Sequence, residues 1–483
     1  MAYADSSEDL KQELRRLQAR VRSLEATEQT RARNDSAASK VARPTPKEAE
    51  ARARDEGARL HAQAADVPVA KIPVDYVKIC DAYGPGYFYI PSVRTCLNIS
   101  GYVRSDTGTG NTTTGSDIGI YRSGILHGAS DRGTRKDSEN IEASVNFDAK
   151  TATDWGLLHS LVNYRVDYAT AASQTATSSG VPSITFDRGY LEMNGFKAGR
   201  DETNYNFLFY RDIFYSNIFW QFEPFVDYKV NQAAYTANFG NGFTGTISVE
   251  DPTTGGTNRS NSLPSAAIGR RSGASFVYGS MDLPDLIGNL RVSQAWGAAQ
   301  LSVGYHQDYG SVATPYTANG YGGQAAVSFN VPALGAGSRL AFQGAYSIGA
   351  TSLAYSWGYQ GGAFGISSAD LGADAAVANG VLQQAREWTV GTVFEVHMMP
   401  TVEFDASSAY YSFRNRNTAG TLAFTGFETS AQIKWTPIGP ELQIIPELEY
   451  RHIDVSAATV AAGNATFNKA DAYVFDMRFL RKF

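Results

Sequence analysis

The amino-acid sequence predicts an all-β transmembrane barrel of about 16 antiparallel strands with an N-terminal α-helical coiled-coil arm. Three observations support this fold. Apolar residues alternate with polar ones in many short segments, no run of 18 consecutive apolar residues occurs, and the chain ends on an aromatic residue, Phe483. A spanning strand needs only about 9–11 residues with every second one apolar, whereas a spanning helix needs about 20 apolar residues in succession.

The composition is typical of a barrel with many turns. Aromatic residues make up 12% of the chain, as expected for belts at two membrane interfaces, and 46 glycines suit the turns between many strands. The formal net charge is -6 and no basic stripe dominates the barrel region, which speaks against nucleic acid as a partner.

The first seventy residues differ from the rest. Residues 1–4 are predicted to be the remnant of an export signal, and residues 1–33 to form the coiled-coil helix. A lone amphipathic helix is the alternative. Residues 34–73 are predicted to be a periplasmic linker and residues 74–483 the barrel. The predicted coiled-coil seam, with alternating spacings of four and three, is Leu10, Leu14, Leu17, Val21 and Leu24.

The barrel strands are predicted from period-two segments separated by alternately short and long connections. In residues 427–435, for example, alternate positions are mostly apolar and the positions between them are polar. An even count puts both ends of the barrel on the periplasmic side, and about sixteen strands leave an aqueous lumen. The predicted strands are 96–105, 139–150, 155–168, 184–194, 196–201, 229–239, 243–250, 289–296, 299–308, 321–331, 338–348, 385–397, 402–413, 426–436, 441–453 and 471–483.

The two cysteines, Cys80 and Cys96, are expected to form a disulfide bond, because the chain is predicted to be exported to an oxidising compartment. Such a bond would stabilise the region by roughly 3 kcal/mol. Two free thiols are one alternative. A metal site is a weaker one, because no histidine lies nearby to complete four ligands.

Two segments resemble the alphaproteobacterial general porins of the outer membrane. The first comprises residues 74–91 (VDYVKICDAYGPGYFYIP), 95–97 (TCL) and 99–104 (ISGYVR), and is similar to the opening of those proteins. The second runs from residues 187–190 (DRGY) to the aromatic run 205–210 (YNFLFY). In the family, the second segment is where the fifth strand leads to a loop folded into the pore.

The resemblance implies a sixteen-stranded homotrimer, integral to the bacterial outer membrane, that lets small hydrophilic solutes and ions diffuse passively. It also implies contact with outer-membrane lipids and lipopolysaccharide. The terminal aromatic residues Phe479 and Phe483 are similar to the signal that the barrel-assembly machinery recognises. No cofactor, metal or catalytic residue is expected.

The third outer loop, about 202–228, is the candidate for the pore constriction, because it is too long and too aromatic for a solvated loop. A narrow waist with opposed charges would orient dipolar solutes and replace part of their lost water. The predicted acidic side is Asp201, Glu202, Asp212 and Glu223. The predicted basic side, on inward positions of the strands opposite, is Arg104, Arg165, Arg188, Arg200 and Arg478.

Three other functions stay open. A channel selective for sugars or anions has the same sequence pattern as a general pore. The N-terminal arm is long enough to reach peptidoglycan, to which similar porins are thought to be joined. An enzyme is disfavoured, because the chain has no Gly-x-Ser-x-Gly elbow and its six histidines lack metal-ligand spacing.

Overall fold

The computed structural model describes residues 78–112, 118–120, 124–126, 137–169, 183–207, 229–251, 282–310, 312, 315–354, 374–417, 420–461 and 467–483. The chain divides into two units, Met1–Tyr76 and Val77–Phe483. The predicted export-signal remnant, the coiled-coil seam and the linker lie outside the described residues, so they stay predictions. Among the described helices, none has the length and apolar character needed to cross a membrane.

A closed antiparallel barrel of sixteen strands dominates the described part of the chain, and all sixteen predicted strands are found. Each barrel strand pairs with the next, and the last pairs with the first, which closes the sheet. The barrel strands are β2, β5–β14 and β17–β21. All strands are β1 (Phe88–Ile90), β2 (Thr95–Thr112), β3 (Ile118–Ile120), β4 (Gly124–Leu126), β5 (Asp137–Thr153), β6 (Gly156–Ala169), β7 (Ser183–Met193), β8 (Phe196–Glu202), β9 (Lys229–Gly240), β10 (Phe243–Asp251), β11 (Asp285–Gln294), β12 (Gly297–Tyr309), β13 (Thr317–Asn330), β14 (Arg339–Ile348), β15 (Ala375–Ala378), β16 (Val381–Gln384), β17 (Arg386–Met399), β18 (Val402–Asn417), β19 (Gly420–Trp435), β20 (Leu442–Val455) and β21 (Lys469–Lys482).

Alternation along each strand separates an apolar outer face from a polar inner face. In β19, Phe427 and Trp435 point outward and are exposed, whereas Glu428, Ser430 and Gln432 point inward and are buried. A strand sends successive side chains to opposite faces, so one sequence pattern supplies both the lipid contact and the polar lumen. The predicted faces of this strand are therefore confirmed.

The two ends of the barrel differ in their connections. At the short-turn end, connections such as Asn194-Gly195 are tight, and both residues have positive φ (52° and 84°), as a two-residue hairpin turn requires. At the opposite, long-loop end, long segments follow β2, β6, β8, β10 and β14. The segment between β14 and β17, residues 349–385, is called loop 6 below; it contains the hairpin β15–β16.

The barrel closes beside the first described residues. Phe483 exchanges two backbone hydrogen bonds with Gly101 of β2, with N–O distances of 2.9 and 3.0 Å. Beyond that point, strand β1 takes the same edge of β2, and the predicted disulfide bond between Cys80 and Cys96 joins the two segments. Phe479 and Phe483 lie on the outer face of the barrel.

Removing the disulfide is expected to lower barrel stability. The bond closes a loop with a sequence separation of 16 residues, for which the loss of unfolded-state restraint corresponds to about 3 kcal/mol. The measurement is the free energy of unfolding of the double variant Cys80→Ser/Cys96→Ser in detergent. Reducing agent should weaken the unaltered protein equally and leave the double variant unchanged. Equal stability of both proteins would contradict the prediction.

Candidate functional site

Charged side chains on the inner wall form a connected series that begins at the closure of the barrel. Arg478 Nε lies 2.6 Å from Asp106 Oδ1, and Arg104 Nε lies 3.2 Å from Asp106 Oδ2. Arg104 Nη2 also lies 2.8 Å from Glu142 Oε2. Asp106 faces Arg478, and Arg104 faces Glu142, directly across neighbouring strands. Opposite charges at paired inward positions thus lock the first, second and last barrel strands together.

The series continues around the wall through β6, β7 and β9. Arg165 Nε lies 3.7 Å from Glu142 Oε2, and Arg165 Nη2 lies 2.5 Å from Asp187 Oδ1. Lys229 Nζ lies 3.2 Å from Asp187 Oδ2 and 3.4 Å from Glu202 Oε1. Each carboxylate here lies between two cations, which offsets the cost of burying it.

The series ends at a part of the wall that water reaches. Arg188 lies 3.1 Å from Glu202 Oε1 and 3.7 Å from Asp201 Oδ1, and Lys197 Nζ lies 2.7 Å from Asp201 Oδ2. The side chains of Arg188 and Lys197 are 23% and 25% exposed, whereas Arg104 is only 1% exposed. We call the whole series the charge ladder: Arg478, Asp106, Arg104, Glu142, Arg165, Asp187, Lys229, Glu202, Arg188, Asp201 and Lys197.

A β-bulge brings two consecutive residues of β7 into the ladder. Asn163 pairs with Arg188 while the next residue, Tyr164, pairs with Phe186, so Asp187 is an extra residue on its strand. Because a bulge interrupts strict alternation, Asp187 and Arg188 both reach the inner wall. The period-two pattern used for the sequence gave no sign of this bulge.

Most of the predicted constriction residues in the described part of the chain come together. Arg104, Arg165, Arg188 and Arg478 join Asp201 and Glu202 in the charge ladder. The expected arrangement was different, with acids and arginines on opposite sides of the lumen. The structure instead pairs Arg188 directly with both acids.

Arg200, Asp212 and Glu223 are not placed in the charge ladder. Arg200 lies on β8 opposite Asn231 of β9. Its inward placement stays a prediction. Asp212 and Glu223 lie outside the described residues.

The third loop enters the lumen at its first residues, 203–207. Side chains of the inner wall hold their backbone: Asn289 Nδ2 donates to the carbonyl of Asn204, Arg291 Nη1 to that of Phe207, and Gln300 Nε2 to that of Asn206, at 2.6–3.0 Å. These donors lie on β11 and β12. The wall therefore fixes where the loop enters.

Two aromatic side chains anchor this segment. Phe207 is buried against small wall residues, Ala326, Ala341, Val393 and Ala409. Tyr205 is fully buried, and its hydroxyl donates a 2.7 Å hydrogen bond to the carbonyl of Leu353. Burial raises the pKa of Tyr205 well above its ordinary value, so the phenol keeps the proton that it donates.

Loop 6 forms the other half of this anchor, and the sequence did not indicate it. Its first turn, Thr351–Leu353, lies inside the barrel, and Leu353 occupies a notch above Gly304 and Gly322. A Cβ on Gly322 would lie 2.3 Å from the Leu353 Cβ, so only glycine leaves room there. The sequence carried one signal of this contact, the glycines at inward positions of β12 and β13, Gly304 and Gly322.

The profile of the porin subfamily matches residues 66–475. The chain belongs to the porin subfamily. The predicted family is thus confirmed, and this membership, with the closed barrel, makes the protein an integral porin of the outer membrane.

Relatives of this porin are found in Brucella. It is 31% identical to porin Omp2a of Brucella ovis over 262 residues, which cover 50% of this chain and 65% of the relative. Porin Omp2b of Brucella canis is 29% identical over 258 residues, 50% of this chain and 61% of the relative. The matched part therefore spans less than two thirds of these relatives.

Among solved structures, this porin is similar to the outer membrane channel DcaP of Acinetobacter baumannii. The TM-score is 0.57 at 17% identity, and the match covers 80% of this chain and 97% of DcaP. At this identity the likeness bears on the fold, and it supports the sixteen-stranded barrel.

Proposed function

We propose that this porin forms a water-filled channel for the passive diffusion of small hydrophilic solutes and ions. The charge ladder supports this proposal most directly, because its last members, Arg188 and Lys197, are fixed at the inner wall and reached by water. Fixed charges of both signs along one wall create a transverse field that favours dipolar and charged solutes over apolar ones.

The two ends of the ladder have different roles in this proposal. Arg104, Arg165 and Arg478 are almost completely buried and hold strands together. Arg188 is partly exposed and close to the entrance of the third loop. Because water reaches Arg188, a passing ion experiences its charge more strongly than the charges of the buried arginines.

Charge reversal at Arg188 is expected to make the channel more selective for cations. In bulk water, an ion about 4 Å from a unit charge has an interaction energy of about 1 kcal/mol, which corresponds to about a fivefold change in the local concentration of that ion. Arg188→Glu should therefore raise the cation/anion permeability ratio about fivefold or more. The measurement is the reversal potential in planar bilayers under a salt gradient.

Two control variants isolate the charge. Arg188→Lys keeps the charge and should keep the reversal potential. Arg414→Glu makes the same charge change at an exposed, outward position of β18 and should also have no effect. An unchanged reversal potential in Arg188→Glu would remove Arg188 from the ion path, and an absence of conductance in the unaltered protein would refute the channel.

Solute-selective transport is the alternative outcome of the same recordings. Concentration-dependent block by one sugar or anion, and by no other solute, would favour it. The expected homotrimer, contacts with lipopolysaccharide and the assembly machinery, and a link from the N-terminal arm to peptidoglycan are further proposals that rest on the family resemblance. We also propose, on the same resemblance, that the protein has no enzymatic activity.

A further inference from the structure

A buried group of acidic side chains surrounds one histidine near the long-loop end of the barrel. His306 and Asp308 lie on the inner face of β12, and Asp374 comes from loop 6, immediately before β15. Ligand atoms of these three residues all lie within 4.8 Å of one another. Together with Asp285 and Glu387 we call this group the mouth cluster. Each of its members is at most 8% exposed.

The histidine of the mouth cluster is oriented as a metal ligand. Its Nδ1 lies 2.7 Å from Asp285 Oδ1, which fixes the ring and directs Nε2 toward Asp374, whose Oδ2 is 3.7 Å away. In histidines that bind metals, the other ring N–H commonly donates a hydrogen bond to a carboxylate in this way. Two ligand atoms at about 2.1 Å from a tetrahedral zinc ion lie about 3.4 Å apart, close to the distance observed.

The two aspartates are also held in place. Asp374 Oδ1 accepts hydrogen bonds from the backbone nitrogen and the hydroxyl of Thr351, both at 2.7 Å. Asp308 Oδ2 accepts a 2.8 Å hydrogen bond from Gln384 of β16. Their positions therefore depend on loop 6 as well as on the wall.

A separate observation concerns the carboxylate of Glu387. Glu387, at the start of β17, is fully buried, and neither of its carboxylate oxygens has a hydrogen-bond partner among the described residues. Ala385, two residues before Glu387, donates a 2.7 Å backbone hydrogen bond to the carbonyl of Asp374, which places Glu387 near the cluster. A buried carboxylate in that position is costly unless a positive charge accompanies it.

A second group of one histidine and two carboxylates provides a comparison within the chain. Glu395, His397 and Glu403 also lie close together, at the short-turn end. There, Arg339 Nε lies 2.8 Å from Glu395 and Lys434 contacts Glu403, so both acids already have a cation. His397 is also 34% exposed. Composition alone therefore does not make a metal site.

We propose that the mouth cluster binds one divalent transition-metal ion such as zinc. His306 Nε2, Asp308 and Asp374 are the proposed ligands, the buried carboxylate of Glu387 is proposed to complete the set, and Asp285 positions the histidine. An imidazole ligand favours zinc over calcium and magnesium, which prefer oxygen ligands. The ion would fasten loop 6 to the barrel wall. This proposal is independent of what the channel conducts.

Metal analysis of the tag-free protein tests the proposal. The purified porin is stripped with a chelator in detergent, equilibrated with zinc and assayed by mass spectrometry. One tightly bound zinc per chain is expected. His306→Gln and Asp374→Asn should lose it, whereas Asp285→Asn should weaken zinc binding about 10–100-fold, as expected for the loss of a group that orients a ligand.

The matched control is His397→Gln, which should bind zinc as the unaltered protein does. Zinc should also raise the melting temperature of the unaltered protein and of His397→Gln, but not that of His306→Gln, because only a bound ion stabilises the folded state. Circular dichroism verifies that each variant is folded, and Asp285→Asn keeps the test valid if His306→Gln does not fold. Absence of zinc from the unaltered protein, or equal zinc in His306→Gln, would overturn the proposal.

Discussion

Replacing Glu142 with Gln should reduce barrel stability by about 3–5 kcal/mol, the range observed when one partner of a buried ion pair is removed. Glu142 is completely buried, lies within 3.7 Å of both Arg104 and Arg165, and accepts a hydrogen bond from Tyr102. A neutral amide would leave an excess of positive charge in the buried part of the ladder. The measurement is the free energy of unfolding in denaturant.

An exposed ion pair of the same barrel serves as the control. Lys469 Nζ lies 3.3 Å from Asp454, and the two side chains are 73% and 46% exposed. Asp454→Asn should therefore cost less than about 1 kcal/mol, because solvent screens exposed pairs. If Glu142→Gln is no more destabilising than Asp454→Asn, the ladder is not a structural element.

Gly322→Val should loosen the anchor between the third loop and loop 6. The new Cβ would lie 2.3 Å from Leu353 Cβ, and overpacking of this kind costs about 1–3 kcal/mol. Leu353 would move, and with it the carbonyl that accepts the hydrogen bond of Tyr205. We expect larger and noisier single-channel currents, together with a lower melting temperature.

The neighbouring residue provides a matched control. A Cβ on Gly323 would have no neighbour closer than 3.8 Å, so Gly323→Val introduces the same residue type without a clash. It should conduct like the unaltered protein and be at least as stable, since valine suits a strand. Identical currents in both variants would show that the notch does not position the loops.

Local patterns predicted much of the barrel because strand formation and membrane burial impose the same period. Residues 426–436 show this well: alternate apolar positions predicted β19, and its two faces followed from the same rule. Likewise, an inward position for Arg104 follows from its strand alone. That it contacts Glu142 does not follow, because the register between β2 and β5 decides the pairing.

Where alternation is broken, the sequence was a poorer guide. The bulge at Asp187 brings two consecutive charged residues, Asp187 and Arg188, to the inner wall, which strict alternation does not predict. Loop 6 was also missed, since its contacts with Gly304 and Gly322 join residues that are distant in the chain.

The sequence by itself determined the sixteen-stranded barrel, its two faces, the disulfide bond and the family, because each depends on local period or on a short motif. Only the tertiary structure decided which inward charges meet, and that Asp374 of loop 6 lies beside His306 of β12. Such contacts depend on strand register and loop entry, and neither leaves a periodic signal in the chain.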